Sequence, residues 1–147
     1  MAIYLSNRQK ALPINRGKLR RRLARLLKEL NLSEADLSVT ITDDENIRQI
    51  NHHYRGADSP TNVLAFALEE GHPMPGAPRV LGDVIISSET IMREAGPLGY
   101  SQAGMLYFYL IHGLLHLIGY DHELGPAEAA RQESETERLW NLIDHEL

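Results

Sequence analysis

The stretch AGMLYFYLIHGLLHLIGYDH, residues 103–122, decides how the chain is read. As far as Tyr120 it is almost continuously apolar, and at about 18 residues it falls just short of the roughly 20 that a membrane span needs. Two histidines a turn apart, His112 and His116, interrupt it. Ionisable side chains are costly in hydrocarbon, so the segment reads as a buried core helix from near Ser101 to Gly119, not as a span.

The same histidines raise a chemical question. On a helix, positions 112 and 116 differ by about 40° in direction and one turn in height, so both imidazoles can face one ion. His122 would point about 240° away if the helix continued. Gly119 stands where a glycine can take the left-handed conformation, end the helix and turn the chain back. Three neutral imidazoles bind zinc and leave a fourth position open, which is a catalytic arrangement; a structural site is closed by a fourth ligand. Nickel and copper also bind imidazole. One histidine on an apolar face would read as an ordinary core residue. Three, with glycine at the point the geometry requires, read as a metal site. His52, His53, His72 and His145 lack that support and read as ordinary surface or core histidines.

The spacing matches H-E-x-x-H-x-x-G-x-x-H of zinc peptidases, except that Gly113 stands where the glutamate belongs. That glutamate passes a proton from water to the leaving amine, and glycine cannot. The methionine turn after the third histidine is also missing, since the four methionines are Met1, Met74, Met92 and Met105. A phosphodiester asks for less: a metal and cationic donors can carry a more negative transition state. Arg55, on the turn RGADSPT, offers a guanidinium suited to bidentate phosphate binding, although a surface ion pair would also account for it.

Composition fits one soluble domain: 147 residues, 43% hydrophobic and 24% charged. Without cysteine, disulfides and thiolate ligands are excluded, and any metal is held by His, Asp or Glu. The start, MAIYLSNRQK, has no apolar targeting segment and is consistent with the cytosol. Net charge is −5, yet residues 1–30 carry nine Lys/Arg against one acid, while the remainder carry six against nineteen. Such asymmetry points to a polyanion partner, although a solvated helix face is the commoner meaning of one basic run.

Outward from the central helix, four short strands are predicted at IYLS (3–6), LSVTIT (37–42), TNVLAFAL (61–68) and VLGDVIIS (80–87), the last central in its sheet. Helices are predicted after Asn15, with a leucine stripe and a basic outer face, over DDENIRQINHHY, over 88–95, and from Pro126 onward. EEGHPMPGAPR reads as a loop. Strands and helices interleave around a small sheet, an α+β domain.

In order and spacing, YRGADSPTNVLAF, LGDVIIS and HGLLHLIGYDH resemble the YbeY family of bacterial endoribonucleases, from about residue 46 onward. The resemblance implies a single domain over residues 1–147, with a small mixed four-stranded sheet, about five helices and a central metal-binding helix. It implies one zinc ion, or another divalent transition metal such as nickel, on His112, His116 and His122, with Arg55 acting in the cleft. It further implies a cytoplasmic role in rRNA 3′-end maturation and ribosome quality control, with single-stranded RNA and the small ribosomal subunit as partners, and neither DNA nor membrane. Where many members read S-F-P after N-V-L, this chain has Ala65-Phe66-Ala67, which changes the cleft wall but removes no ligand. Asp83 matches a recurrent family residue; its own reading is divided between a partner for a metal histidine and a strand-edge hydrogen bond. Asp121, beside His122, is a further candidate for such partnership or for proton transfer. The rival readings are a zinc peptidase with its base supplied from elsewhere, and a non-catalytic ribosome-assembly factor braced by zinc.

Overall fold

A leucine stripe, an edge strand and a buried apolar helix set the architecture of the computed structural model, which describes residues 2–68, 79–143 and 145. The side chain of His122 lies outside that description, as do His72 and nearly all of the predicted EEGHPMPGAPR loop. The chain runs β1 (Ile3–Asn7), α1 (Arg16–Glu29), β2 (Asp36–Thr42), α2 (Asp44–Arg55), β3 (Val63–Ala67), β4 (Val80–Ser87), α3 (Ser88–Ala95), α4 (Gln102–Leu117), a 3-10 turn (His122–Leu124) and α5 (Pro126–Trp140). This is the α+β fold anticipated, with five α-helices among the described residues on a mixed sheet of order β1-β2-β4-β3.

β1, β2 and β4 run parallel, and β3 pairs antiparallel with β4 as an edge strand. In the central strands, Leu37, Val39, Ile41, Val84 and Ile86 alternate onto one buried face. α4 covers that face, and all but a few of its residues are buried. Each buried Leu or Ile there contributes about 1.5–3 kcal/mol by leaving water, so the apolar density of residues 103–118 is core and not lipid contact. No helix among the described residues is long and apolar enough to cross a membrane. On the other face α2 lies near β3, with the Tyr54 ring 5.2 Å from that of Phe66.

Several boundaries follow from identifiable caps. Asn15 caps α1 by accepting from the Lys18 N–H at 3.1 Å, and Leu19, Leu23, Leu26 and Leu27 form its buried stripe. α2 is longer than predicted: Arg55 is its last residue rather than part of the turn, and Gly56, at φ 73°, ends it. Asp44 fastens the start of α2 to α3, accepting from Ser87 and Thr90 at 2.6 Å each and from Arg93 at 2.6 Å. Burial pushes the Asp44 carboxyl up, but those hydrogen bonds outweigh it and hold it below its ordinary value.

Candidate functional site

Gly119 does what the spacing required of it. Its φ is 101°, its N–H bonds the His116 carbonyl at 3.1 Å, and the Tyr120 N–H bonds the Leu115 carbonyl at 3.0 Å. That pair of bonds is a Schellman ending, so the chain leaves α4 and reverses at once. The Asp121 carboxylate then accepts the Glu123 N–H at 2.9 Å, stabilising the 3-10 turn whose first residue is His122. Asp121 therefore caps the turn that carries the third histidine.

His112 and His116 line one cleft of about 400 Å³, and Arg55 lines it too. His112 is half-buried and His116 exposed, so the pair runs from the protein interior to solvent. Among the described residues, no group of three His, Cys, Asp or Glu side chains is close enough to hold an ion; the third expected ligand is the His122 side chain, which is not described. What is present fits a divalent transition metal: two imidazoles one helical turn apart on a common wall, followed by a reversal that carries the backbone to His122.

Gly113 explains the absent glutamate. A Cβ at that position would come within 2.8 Å of Val84 Cγ1 and 3.2 Å of Val63 Cγ2. The helix lies so close to β3 and β4 that no side chain fits between the histidines on that side, and no base can come from there. The Gly82 of LGD has a parallel cause: at φ 138°, its Cβ would fall 2.0 Å from the Phe66 carbonyl oxygen. Asp83 faces away from His112 and His116. It alternates with Val84, which faces α4, so Asp83 projects from the opposite face of the sheet.

Arg55 is exposed, and among the described residues it has no ion pair or hydrogen bond, which removes the surface-salt-bridge reading within that set. Its neighbours on the cleft wall are Thr61, Asn62 and the exposed carboxylate of Glu123, none of them singled out by sequence. Asn62 is held firmly. Its Oδ1 accepts the Val63 N–H at 2.7 Å, and its Nδ2 donates to both Glu94 oxygens at 3.3 and 3.4 Å. Glu94 in turn accepts from Tyr109 of α4 at 2.6 Å, and burial together with that carboxylate pushes the Tyr109 phenol well up. Asn62 lies inside the TNVLAFAL block but carried no signal of its own. Glu123 carried no signal, because the 3-10 turn that brings it to the cleft has no periodicity.

The basic face of α1 is divided by the fold. Arg16 bonds the Leu5 carbonyl at 3.1 Å, Arg20 bonds that of Ile3, and Arg22 bonds the Tyr107 hydroxyl at 2.8 Å. Lys18, Arg21, Arg25 and Lys28 remain, at offsets of three, seven and ten, as a single stripe along the helix.

Comparison with known proteins adds an independent line. The family model described as "Endoribonuclease YbeY" matches residues 4–143. The proteins named Endoribonuclease YbeY from Geobacter metallireducens and Geobacter sulfurreducens are 43% and 44% identical, each over 99% of this chain, and over 98% and 97% of their own lengths. The solution structure of TM1509 from Thermotoga maritima aligns with a TM-score of 0.63 over 95% of this chain and 89% of that one, at 24% identity, a likeness of fold.

Proposed function

Given that the chain belongs to the YbeY endoribonuclease family, we propose that it hydrolyses phosphodiester bonds of single-stranded RNA in the cleft walled by His112, His116 and Arg55. The observation that carries this reading is that Arg55, remote in sequence, reaches the same cleft as the two histidines and is not engaged by any described carboxylate.

His112, His116 and His122 would hold a zinc ion, or nickel in its place, which when bound would supply Lewis-acid charge at the phosphate and lower the pKa of water. The protein's own groups do the remaining work. Arg55 grips the non-bridging oxygens and steadies the charge that builds on them. Asp121 and Glu123 border the cleft as the available carboxylates, and of the two Glu123 is free of the capping bond, so it takes or returns the proton. The exposed ring of Tyr54, supported by Phe66, offers a face to an unstacked base, which favours single strands over duplex. The Lys18–Lys28 stripe holds phosphates further along the strand. The substrate is rRNA at the 3′ end, in the cytoplasm, on or near the small ribosomal subunit, in maturation and quality control.

The test is Arg55→Ala assayed on an rRNA 3′-end fragment, with metal content measured on the same preparation. Loss of one charge-stabilising donor costs about 10²–10³ in rate, with metal retained. Undiminished cleavage would remove Arg55 from the reaction.

A further inference from the structure

His112 stands between two cavities. One is the cleft; the other, of about 480 Å³, opens between α4 and α5, and Gln132 of α5 shares its wall. Gln132 is a buried polar residue, 4% exposed, and its amide Nε2 lies 3.2 Å from His112 Nδ1. Its other amide atom, Oε1, is buried with no hydrogen-bond partner among the described residues. Amide oxygen and nitrogen exchange places on a half-turn of the terminal torsion, so the contact, rather than the atom making it, is the structural fact. As placed, the second amide atom has no hydrogen-bond partner among the described residues, so no described contact there fixes the orientation.

The cleft does select. With Nδ1 in contact with Gln132, Nε2 is the ring nitrogen that a metal in the cleft would use, and it has a lone pair only when the proton sits on Nδ1. An Nδ1–H needs an acceptor, and the only amide atom able to serve is the Gln132 oxygen.

We propose that Gln132 is the positioning residue of His112: its carboxamide oxygen accepts Nδ1–H, fixing the tautomer and ring angle that present the Nε2 lone pair to the cleft. This rests on the reading of His112 as a ligand, and it gives α5 a function beyond covering α4. Phe108, stacked on the His112 ring at 6.3 Å between centroids, limits the ring from one side, while Gln132 fixes its edge.

Two measurements on Gln132→Leu and Gln132→Glu separate this from mere packing. In metal-free protein, long-range ¹H–¹⁵N correlations of labelled histidine report the tautomer. Wild type and Gln132→Glu, which keeps an acceptor, show His112 as Nδ1–H, while Gln132→Leu shifts toward Nε2–H. Zinc affinity, read by competition with a chromophoric chelator, falls about 10–100-fold in Gln132→Leu and is kept in Gln132→Glu. An unchanged tautomer and unchanged affinity in a folded Gln132→Leu would overturn the proposal, as would an Nε2–H wild type. Should Gln132→Leu fail to fold, loss of the Nδ1–H form in Gln132→Glu would overturn it equally. Failure of wild type to bind zinc at all, with the Nδ1–H tautomer present, would strike the ligand reading and leave the Gln132 contact standing.

Discussion

At the scale of single residues, Gly113 and Arg55 carry opposite lessons. Gly113 is small because Val84 and Val63 press against it from the sheet. Gly113→Ala gains about 1 kcal/mol of helix propensity but costs about 1–3 kcal/mol in overpacking, so the net effect is destabilising and the melting temperature drops by a few degrees. A melt unchanged or raised would mean that Val84 rotates away freely. The sequence showed the glycine and its chemical consequence, no base at that position; it could not show the cause, because contact with β3 and β4 is long-range. Arg55 was legible as a phosphate-shaped cation, yet its place at the end of α2 was not, since RGADSPT looks like turn from its first residue. The two readings of Asp83 could not be separated from sequence for the same reason: which face of the sheet is the site face depends on where α4 packs.

At the scale of elements, local signals placed the caps, the stripe and the reversal but not the long-range junctions. The Asn15 cap, the leucine stripe of α1, the apolar run of α4 and the Gly119 reversal are all written in short-range periodicity and backbone preference, and all appear. The junction of α2 and α3 was not visible, because Asp44 finds Ser87, Thr90 and Arg93 across more than forty residues. That junction titrates. A carboxyl held below its ordinary pKa contributes stability in full above the unfolded value of about 3.9, and loses it as pH falls through the folded value. Asp44→Asn therefore lowers stability at neutral pH, by about 1–2 kcal/mol for charge-assisted hydrogen bonds that are partly exposed, and the difference from wild type closes in acid. Denaturant unfolding at pH 7 and at successively lower pH below about 4 checks this; a gap that fails to narrow as the pH falls would contradict the assignment. The basic helix was read as one face, whereas three of its arginines bind the protein itself. Replacing Lys18, Arg21, Arg25 and Lys28 with Gln should flatten the salt dependence of RNA affinity by up to about 3 in log–log slope, at about 0.7 per phosphate for single strands. An unaltered slope would take the stripe out of RNA binding.

For the whole molecule, the sheet order separates the cleft from the basic stripe. The cleft follows β3, one edge of the sheet, while α1 leans on β1, the other edge. On the proposed function, RNA touching both must cross the molecule, so replacing the stripe should weaken cleavage of long substrates and leave that of a few nucleotides in the cleft unaffected. Everything proposed for that cleft depends on imidazoles sharing an ion. The most direct test is elemental analysis of purified protein beside its His116→Ala variant, both shown to be folded. About one equivalent of zinc or nickel per chain in wild type, lost in the variant, is the predicted result; a wild type without transition metal after incubation with zinc, or a variant that keeps its full equivalent, would contradict it.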